Sequence, residues 1–190
     1  MPKKILIISG SPKKDGNTTA LIEWFQEGII TKGGIPDIVY AAFLKYKFPG
    51  CTSCRACQKS EKYECVIDDD ARSVLLKMAK ADIIVMATPL YFFGPSAQLK
   101  IIMDRMFSLY KWDNAAGTMK TPLQGKTLIL LASAFEGEGL DALEKPFTLI
   151  ARYTGMSFDS LIIANAGVSG DIRNKDGVKE KIVALGKRIL

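Results

Sequence analysis

Short apolar runs alternate along the whole chain with stretches whose apolar residues recur at helical spacing. Residues 4–9 (KILIIS), 82–87 (DIIVMA) and 127–134 (TLILLASA) read as strands, as do the shorter runs at 37–44 and 158–164. Between them, 18–30 puts apolar or small residues at 21, 22, 25 and 28–29, and 68–81 sets Ala71, Val74, Leu75 and Met78 on one face. The spacing of Leu99, Ile102, Met103, Met106 and Tyr110 predicts a helix over 96–110, and further helices are predicted over 140–153 and 175–190. Strands that are apolar throughout, without alternation, are covered on both faces, which is the mark of a parallel sheet. Five strand–helix units of this kind predict one doubly wound α/β domain over residues 1–190 with helices on both faces. Ligands of such sheets bind outside the carboxyl ends of the strands, so the residues that follow each strand carry the chemical interest.

Two connections exceed the usual length, 45–67 and 111–126, and long loops in a compact α/β domain are usually functional. The first is a cysteine-rich insertion; the second carries Trp112 and two glycines.

Composition narrows the function classes. With 48% hydrophobic and 24% charged residues in 190, the chain has enough material for one buried core without covalent staples. No apolar run has the length of a membrane span, and residues 1–4 lead straight into the first strand without a signal-peptide pattern, so the sequence predicts a cytoplasmic protein with no membrane partner. The net charge of +6 suits a small anionic ligand such as a phosphate, but the lysines form no basic block, which argues against nucleic acid. Histidine is absent, which removes the commonest general base, the usual Ser-His and Cys-His pairs and the commonest zinc ligand. A borrowed cofactor is the more economical source of reactivity.

Three loops at strand ends could receive one. After the first strand comes Ser9-Gly10-Ser11-Pro12-Lys13-Lys14-Asp15-Gly16-Asn17-Thr18-Thr19, where a helix begins. Helix-start N–H groups and the helix dipole attract phosphate, and Ser11, Asn17, Thr18 and Thr19 add donors while Lys13 or Lys14 adds charge. An ordinary N-cap would need only one hydroxyl. The pattern is neither a Walker loop nor the dinucleotide glycine fingerprint. After the third strand, Pro89-Leu90-Tyr91-Phe92-Phe93-Gly94-Pro95 forms a stiff apolar loop against which a planar ring could lie, or which a subunit interface could bury. After the fourth, Ser133-Ala134-Phe135-Glu136-Gly137 offers close backbone approach to a ligand, or simply a flexible turn.

The four cysteines, Cys51, Cys54, Cys57 and Cys65, all fall within the first long loop. In a reducing compartment such a cluster argues for metal or redox chemistry over structural disulfides. The spacing of the first three repeats the bacterial ferredoxin pattern, but no proline follows Cys65. A [4Fe–4S] cluster, a cluster-free loop, zinc and a Cys-x-x-Cys dithiol all remain open readings, although Cys54 and Cys57 are not expected to open a helix. The Asp68-Asp69-Asp70 run is read as an N-terminal helix cap.

Together GSPKKDGNT, ATPLYFFGPSAQLKIIMDR and CTSCRACQKSEKYECVIDDD resemble the flavodoxin-like NAD(P)H-dependent FMN reductases, and most closely the branch containing the iron–sulfur flavoproteins. The likeness covers most of the first 110 residues; the rest matches in element order only. The resemblance implies a flavodoxin-like five-stranded sheet of order 2-1-3-4-5, FMN as cofactor and NADH or NADPH as electron donor. The acceptor would be a small molecule or a protein. It implies that Ser9, Ser11, Lys13, Gly16, Asn17, Thr18 and Thr19 hold the phosphate end. Pro89, Leu90, Tyr91, Phe92, Phe93 and Gly94 would meet the isoalloxazine, with Ser133, Ala134, Phe135 and Gly137 on a second edge. No side chain would be catalytic. Lys100, Asp104 and Arg105 belong to the family pattern as structural residues, and a homodimer or higher homo-oligomer is implied. The seven residues between Cys57 and Cys65 exceed the gap of the iron–sulfur flavoproteins.

Overall fold

The computed structural model describes residues 3–113, 115 and 117–190. Residues 1 and 2, read above as leading into the first strand, and 114 and 116 of the second long loop lie outside the described residues.

Five parallel strands form the sheet: β1 (Ile5–Ser9), β2 (Pro36–Tyr40), β3 (Ile83–Tyr91), β7 (Thr127–Ser133) and β8 (Ser157–Ile163), in the order β2-β1-β3-β7-β8. Taken in chain order, these are strands 2-1-3-4-5, the expected arrangement. Strand β4 (Gly94–Pro95) folds back on the end of β3, and a separate hairpin joins β5 (Lys111–Asp113) to β6 (Thr118–Lys120). Neither short pairing carries a period the sequence could reveal.

Alternate residues of each central strand enter opposite cores. Leu6, Ile8, Ile84, Met86, Leu128 and Leu130 pack under α3 (Asp70–Lys80), α4 (Ala97–Arg105) and α5 (Leu140–Thr154). Ile5, Ile7, Ile83, Val85, Ile129 and Leu131 pack under α1 (Asn17–Ile30) and α6 (Val178–Arg188). The unbroken apolar strands are therefore covered on both faces, as their composition required.

Helices α1 and α6 approach closely at Gly28 and Gly186. A Cβ on Gly28 would stand 2.2 Å from the Val183 carbonyl oxygen and 3.0 Å from Gly186 Cα, so the backbones themselves would have to separate. Gly28→Ala is expected to cost about 1–3 kcal/mol through overpacking, read as a lower denaturation midpoint; an unchanged midpoint would show that the seam yields.

Three boundaries differ from the sequence reading. Strand β3 runs past 87, with Pro89 opposite Ser133 of β7, because the ladder at its far end does not need the N–H that proline lacks. The helix predicted over 96–110 stops at Arg105 and tightens into a 3₁₀ turn over Met106–Leu109. A short helix, α2 (Ala56–Lys59), forms inside the cysteine loop and contains Cys57, where no helix was expected. Among the described residues no helix is long and apolar enough to cross a membrane.

Candidate functional site

At the carboxyl ends of β1, β3 and β7 the chain encloses a cavity of about 260 Å³. From the first loop it takes Ser11, Lys13, Gly16, Asn17 and Thr18; from the end of β3, Pro89, Leu90 and Tyr91; and from the end of β7, Ser133, Ala134 and Phe135. Three segments more than forty residues apart in sequence thus meet around one space. A fourth wall comes from Ala166, Gly167 and Ser169, after β8. The sequence reading missed it, although small residues following the fifth strand were the same signal used for the other loops.

The floor is the start of α1. Its N-cap position is Gly16, which has no side chain to cap with, and its first turn contains no acidic residue. Caps normally satisfy the first N–H groups of a helix. Here Asn17, Thr18 and Thr19 present theirs at the positive end of the helix dipole, an arrangement that binds an anion. Ser11 shapes the approach: its Oγ accepts from the Lys13 N–H at 3.1 Å, and the Thr19 hydroxyl donates to the Lys13 carbonyl at 3.4 Å. Gly10 lets this loop lie on α4, since a Cβ there would come within 2.6 Å of Ser96 Oγ. Instead, Ser96 Oγ donates to the Gly10 carbonyl at 2.6 Å and accepts from the Leu99 N–H, capping α4. Among the described residues no carboxylate lines the cavity.

The roof is apolar. Tyr91 and Phe135 border the space while remaining 48% and 72% exposed, and the Phe135 ring lies over Gly167, close to where a Cβ would stand. Exposed aromatic faces beside a polar floor suit a planar ring joined to a phosphate.

The remaining residues implied for the site lie outside the cavity lining. Ser9 is fully buried in β1 with its hydroxyl unpartnered among the described residues, and Thr19 is buried behind the loop. Phe92 and Phe93 are the two-residue tip joining β3 to β4, both at positive φ, 45° and 67°. That backbone is costly for bulky side chains and normally falls to Asn-Gly. Phe92 is 98% exposed, while the Phe93 ring packs against Gly139. Gly94 and Gly137 have open space where a Cβ would project.

The four cysteines, all free thiols, line a second and much smaller cleft together with Arg105. Cys51 and Cys54 are exposed, Cys57 and Cys65 buried. The Ser53 N–H points at Cys51 Sγ at 3.4 Å. The Ala56 N–H and the Thr52 hydroxyl draw the Cys54 thiol below its usual pKa, while burial pushes Cys57 up. The thiols converge, yet among the described residues no three cysteine or carboxylate side chains stand in a metal-holding arrangement.

Beneath Cys65, Arg105 Nη1 meets both carboxylate oxygens of Asp69 at 2.7 and 2.8 Å, and Nη2 donates to the Ile67 carbonyl. The side chains are 0% and 2% exposed. Asp69 does cap α3, as the acidic run predicted, accepting from the Arg72 N–H, but it also accepts from the Lys47 N–H.

A doubly wound parallel sheet with an uncapped helix start and an aromatic roof at its switch point defines a flavodoxin-like α/β protein. The chain belongs to the NADPH-dependent FMN reductase family, which matches residues 3–163. It is 39% identical over 102 residues to an iron–sulfur flavoprotein of Methanocaldococcus jannaschii, a match covering 54% of this chain and 51% of that one. A Bacillus subtilis protein provisionally named an NAD(P)H-dependent FMN-containing oxidoreductase is 26% identical over 172 residues, covering 89% and 88%. The chain thus spans about half the length of the iron–sulfur flavoprotein it matches. In structure it is similar to an NAD(P)H:quinone oxidoreductase of Methanothermobacter marburgensis, with a TM-score of 0.70 at 16% identity over 99% of this chain and 97% of that one.

Proposed function

We propose that this protein is an NAD(P)H-dependent flavin oxidoreductase holding FMN non-covalently in the cavity at the carboxyl end of its sheet. The observation that carries the reading is the α1 start, whose N–H groups face that cavity without a capping side chain, opposite an aromatic roof. When bound, FMN would supply the chemistry of hydride acceptance from NADH or NADPH and of electron transfer to an acceptor such as a quinone, a free flavin or another protein. The chain's own residues bind and orient. The first turn of α1 and Lys13 take the phosphate, and Leu90, Tyr91 and Phe135 bracket the ring and exclude water. The chain has no histidine, and among the described residues no carboxylate lines the cavity to transfer a proton. The exposed tip at Phe92 supports a reading in which a second copy covers the roof.

The cysteine cleft supports a second cofactor less strongly, because its thiols converge without ligating geometry.

Both readings are tested on protein purified without oxygen, by visible spectrum, iron and sulfide assay, and NAD(P)H oxidation with a quinone. Flavin bands with turnover are the expected result. A colourless protein that does not take up added FMN would overturn the reading. Flavin without turnover, but with reduction by a one-electron protein donor, would make it an electron carrier instead. Iron and sulfide in near-stoichiometric amounts would establish a cluster at the four cysteines, and flavin bands alone would remove it.

A further inference from the structure

The fourth wall of the cavity is held by a residue that the sequence assigned to the phosphate. Asn17 Nδ2 donates to the Ala166 and Val168 carbonyls at 3.0 and 2.9 Å. Its Oδ1 accepts from the Gly170 and Ile172 N–H groups at 2.9 and 3.2 Å. Two carbonyls on one side and two N–H groups on the other fix which way the amide points. They also use its two donors and both acceptor lone pairs, so the side chain has nothing left for a ligand.

The segment it grips needs that grip. Residues 166–172 link β8 to a 3₁₀ turn over Asp171–Asn174. Its other ties are the Ala166 N–H to the Ala134 carbonyl, bonds between Asp171 and Val168, and the Gly170 and Ile172 carbonyls accepting from Arg173 and Lys175 of the turn that follows. Ala166 and Ile172 at its ends are buried in the core under α1 and α6, but between them Val168 is 66% exposed, so the middle of the segment has little packing of its own. Yet this segment brings Ala166, Gly167 and Ser169 to the cavity, with Phe135 resting over Gly167. Only an amide offers two donors and two acceptors from one short side chain.

We propose that Asn17 is a positioning residue that clamps the 166–172 segment to the start of α1 as the fourth wall of the flavin cavity, and that its side chain is not a phosphate ligand. The inference rests on the FMN reading for the occupant and on the hydrogen bonds for the clamp. A clamp orders a wall that faces any flavin, phosphorylated or not, whereas a ligand would act on FMN alone.

The test compares the wild type with Asn17→Ala and Asn17→Asp, measuring amide hydrogen exchange in the flavin-free proteins and fluorescence titration with FMN and riboflavin. Asn17→Asp keeps the two acceptor bonds but turns a carboxylate oxygen on two carbonyls, so it serves if the alanine variant folds poorly. Exchange at Gly170 and Ile172 is expected to quicken in Asn17→Ala. FMN and riboflavin are expected to weaken by the same factor, about tenfold for the loss of this set of bonds. Unchanged exchange overturns the clamp. A loss confined to FMN, with riboflavin unaffected, overturns it in favour of a phosphate ligand. A wild type that binds neither flavin removes the proposed function; unchanged exchange would then still sink the clamp, and faster exchange would retain it as an anchor of the loop.

Discussion

Asp69→Asn is expected to destabilise the fold by about 3–5 kcal/mol, because it leaves the Arg105 guanidinium buried without its counter-charge. The effect is large for a helix-capping residue because both side chains of the pair are almost wholly excluded from water. It would be read as a lower denaturant midpoint at constant slope. Arg105→Met in the same background is expected to recover much of the loss, since removing both charges leaves no unpaired ion. A single variant as stable as the wild type would refute the account. The pH dependence has a definite sign. Burial opposes the Asp69 charge, but hydrogen bonds from Arg105, the Lys47 N–H and the Arg72 N–H outweigh it and hold the carboxyl below its usual range. A carboxyl depressed in the folded state stabilises fully above its unfolded value of about 3.9, and that stability is lost as pH falls through the folded value. Wild type should therefore lose stability below about pH 4 with a slope that Asp69→Asn lacks. The same pair underlies Cys65 and Ile67, so its loss should also raise the rate at which Cys65 is alkylated.

Gly16→Asp is expected to leave the fold intact or slightly firmer while abolishing FMN retention. Gly16 has φ −83° and ψ −177°, extended backbone open to any residue, and a Cβ there would meet its neighbours at no less than 3.4 Å. An aspartate at that position can accept from the first-turn N–H groups, which favours the helix by a few tenths of a kcal/mol over glycine. The same carboxylate would occupy the anion cradle. Held about 4 Å from a phosphate at a partly buried site, one negative charge costs about 4 kcal/mol, on the order of a thousandfold in affinity. Melting temperature and FMN titration, measured on one preparation, separate the two effects. Firm FMN binding by Gly16→Asp would show that the phosphate lies elsewhere; a strongly lowered melting temperature would show that the position is not the open cap its backbone indicates.

The strands were legible because a parallel sheet covered on both faces leaves a one-dimensional trace, an unbroken apolar run at Ile5–Ser9 or Thr127–Ser133. Helices were legible through the spacing of residues such as Val74, Leu75 and Met78. Their ends were less so. Pro89 reads as a strand breaker, yet β3 carries it two residues further along the ladder and then reverses through a strained Phe92-Phe93 tip. Arg105 was readable as a structural residue, but its partner, 36 positions away, was not.

Sequence alone determined the doubly wound architecture, the absence of histidine chemistry and the three loops that converge on the cavity. These follow from local composition and from the rule that strand ends in such sheets face one side. Tertiary structure decided which of the polar residues in those loops are free. Asn17 looks like a ligand in the string SPKKDGNTT, but groups 149 to 155 residues away consume its amide, and Gly16 is informative for the cap it fails to supply. A hydrogen-bonding side chain is chemically the same whether it meets a ligand or a distant backbone, so its sequence cannot say which; only the fold, by bringing residues 166–172 to the start of α1, assigns its partners.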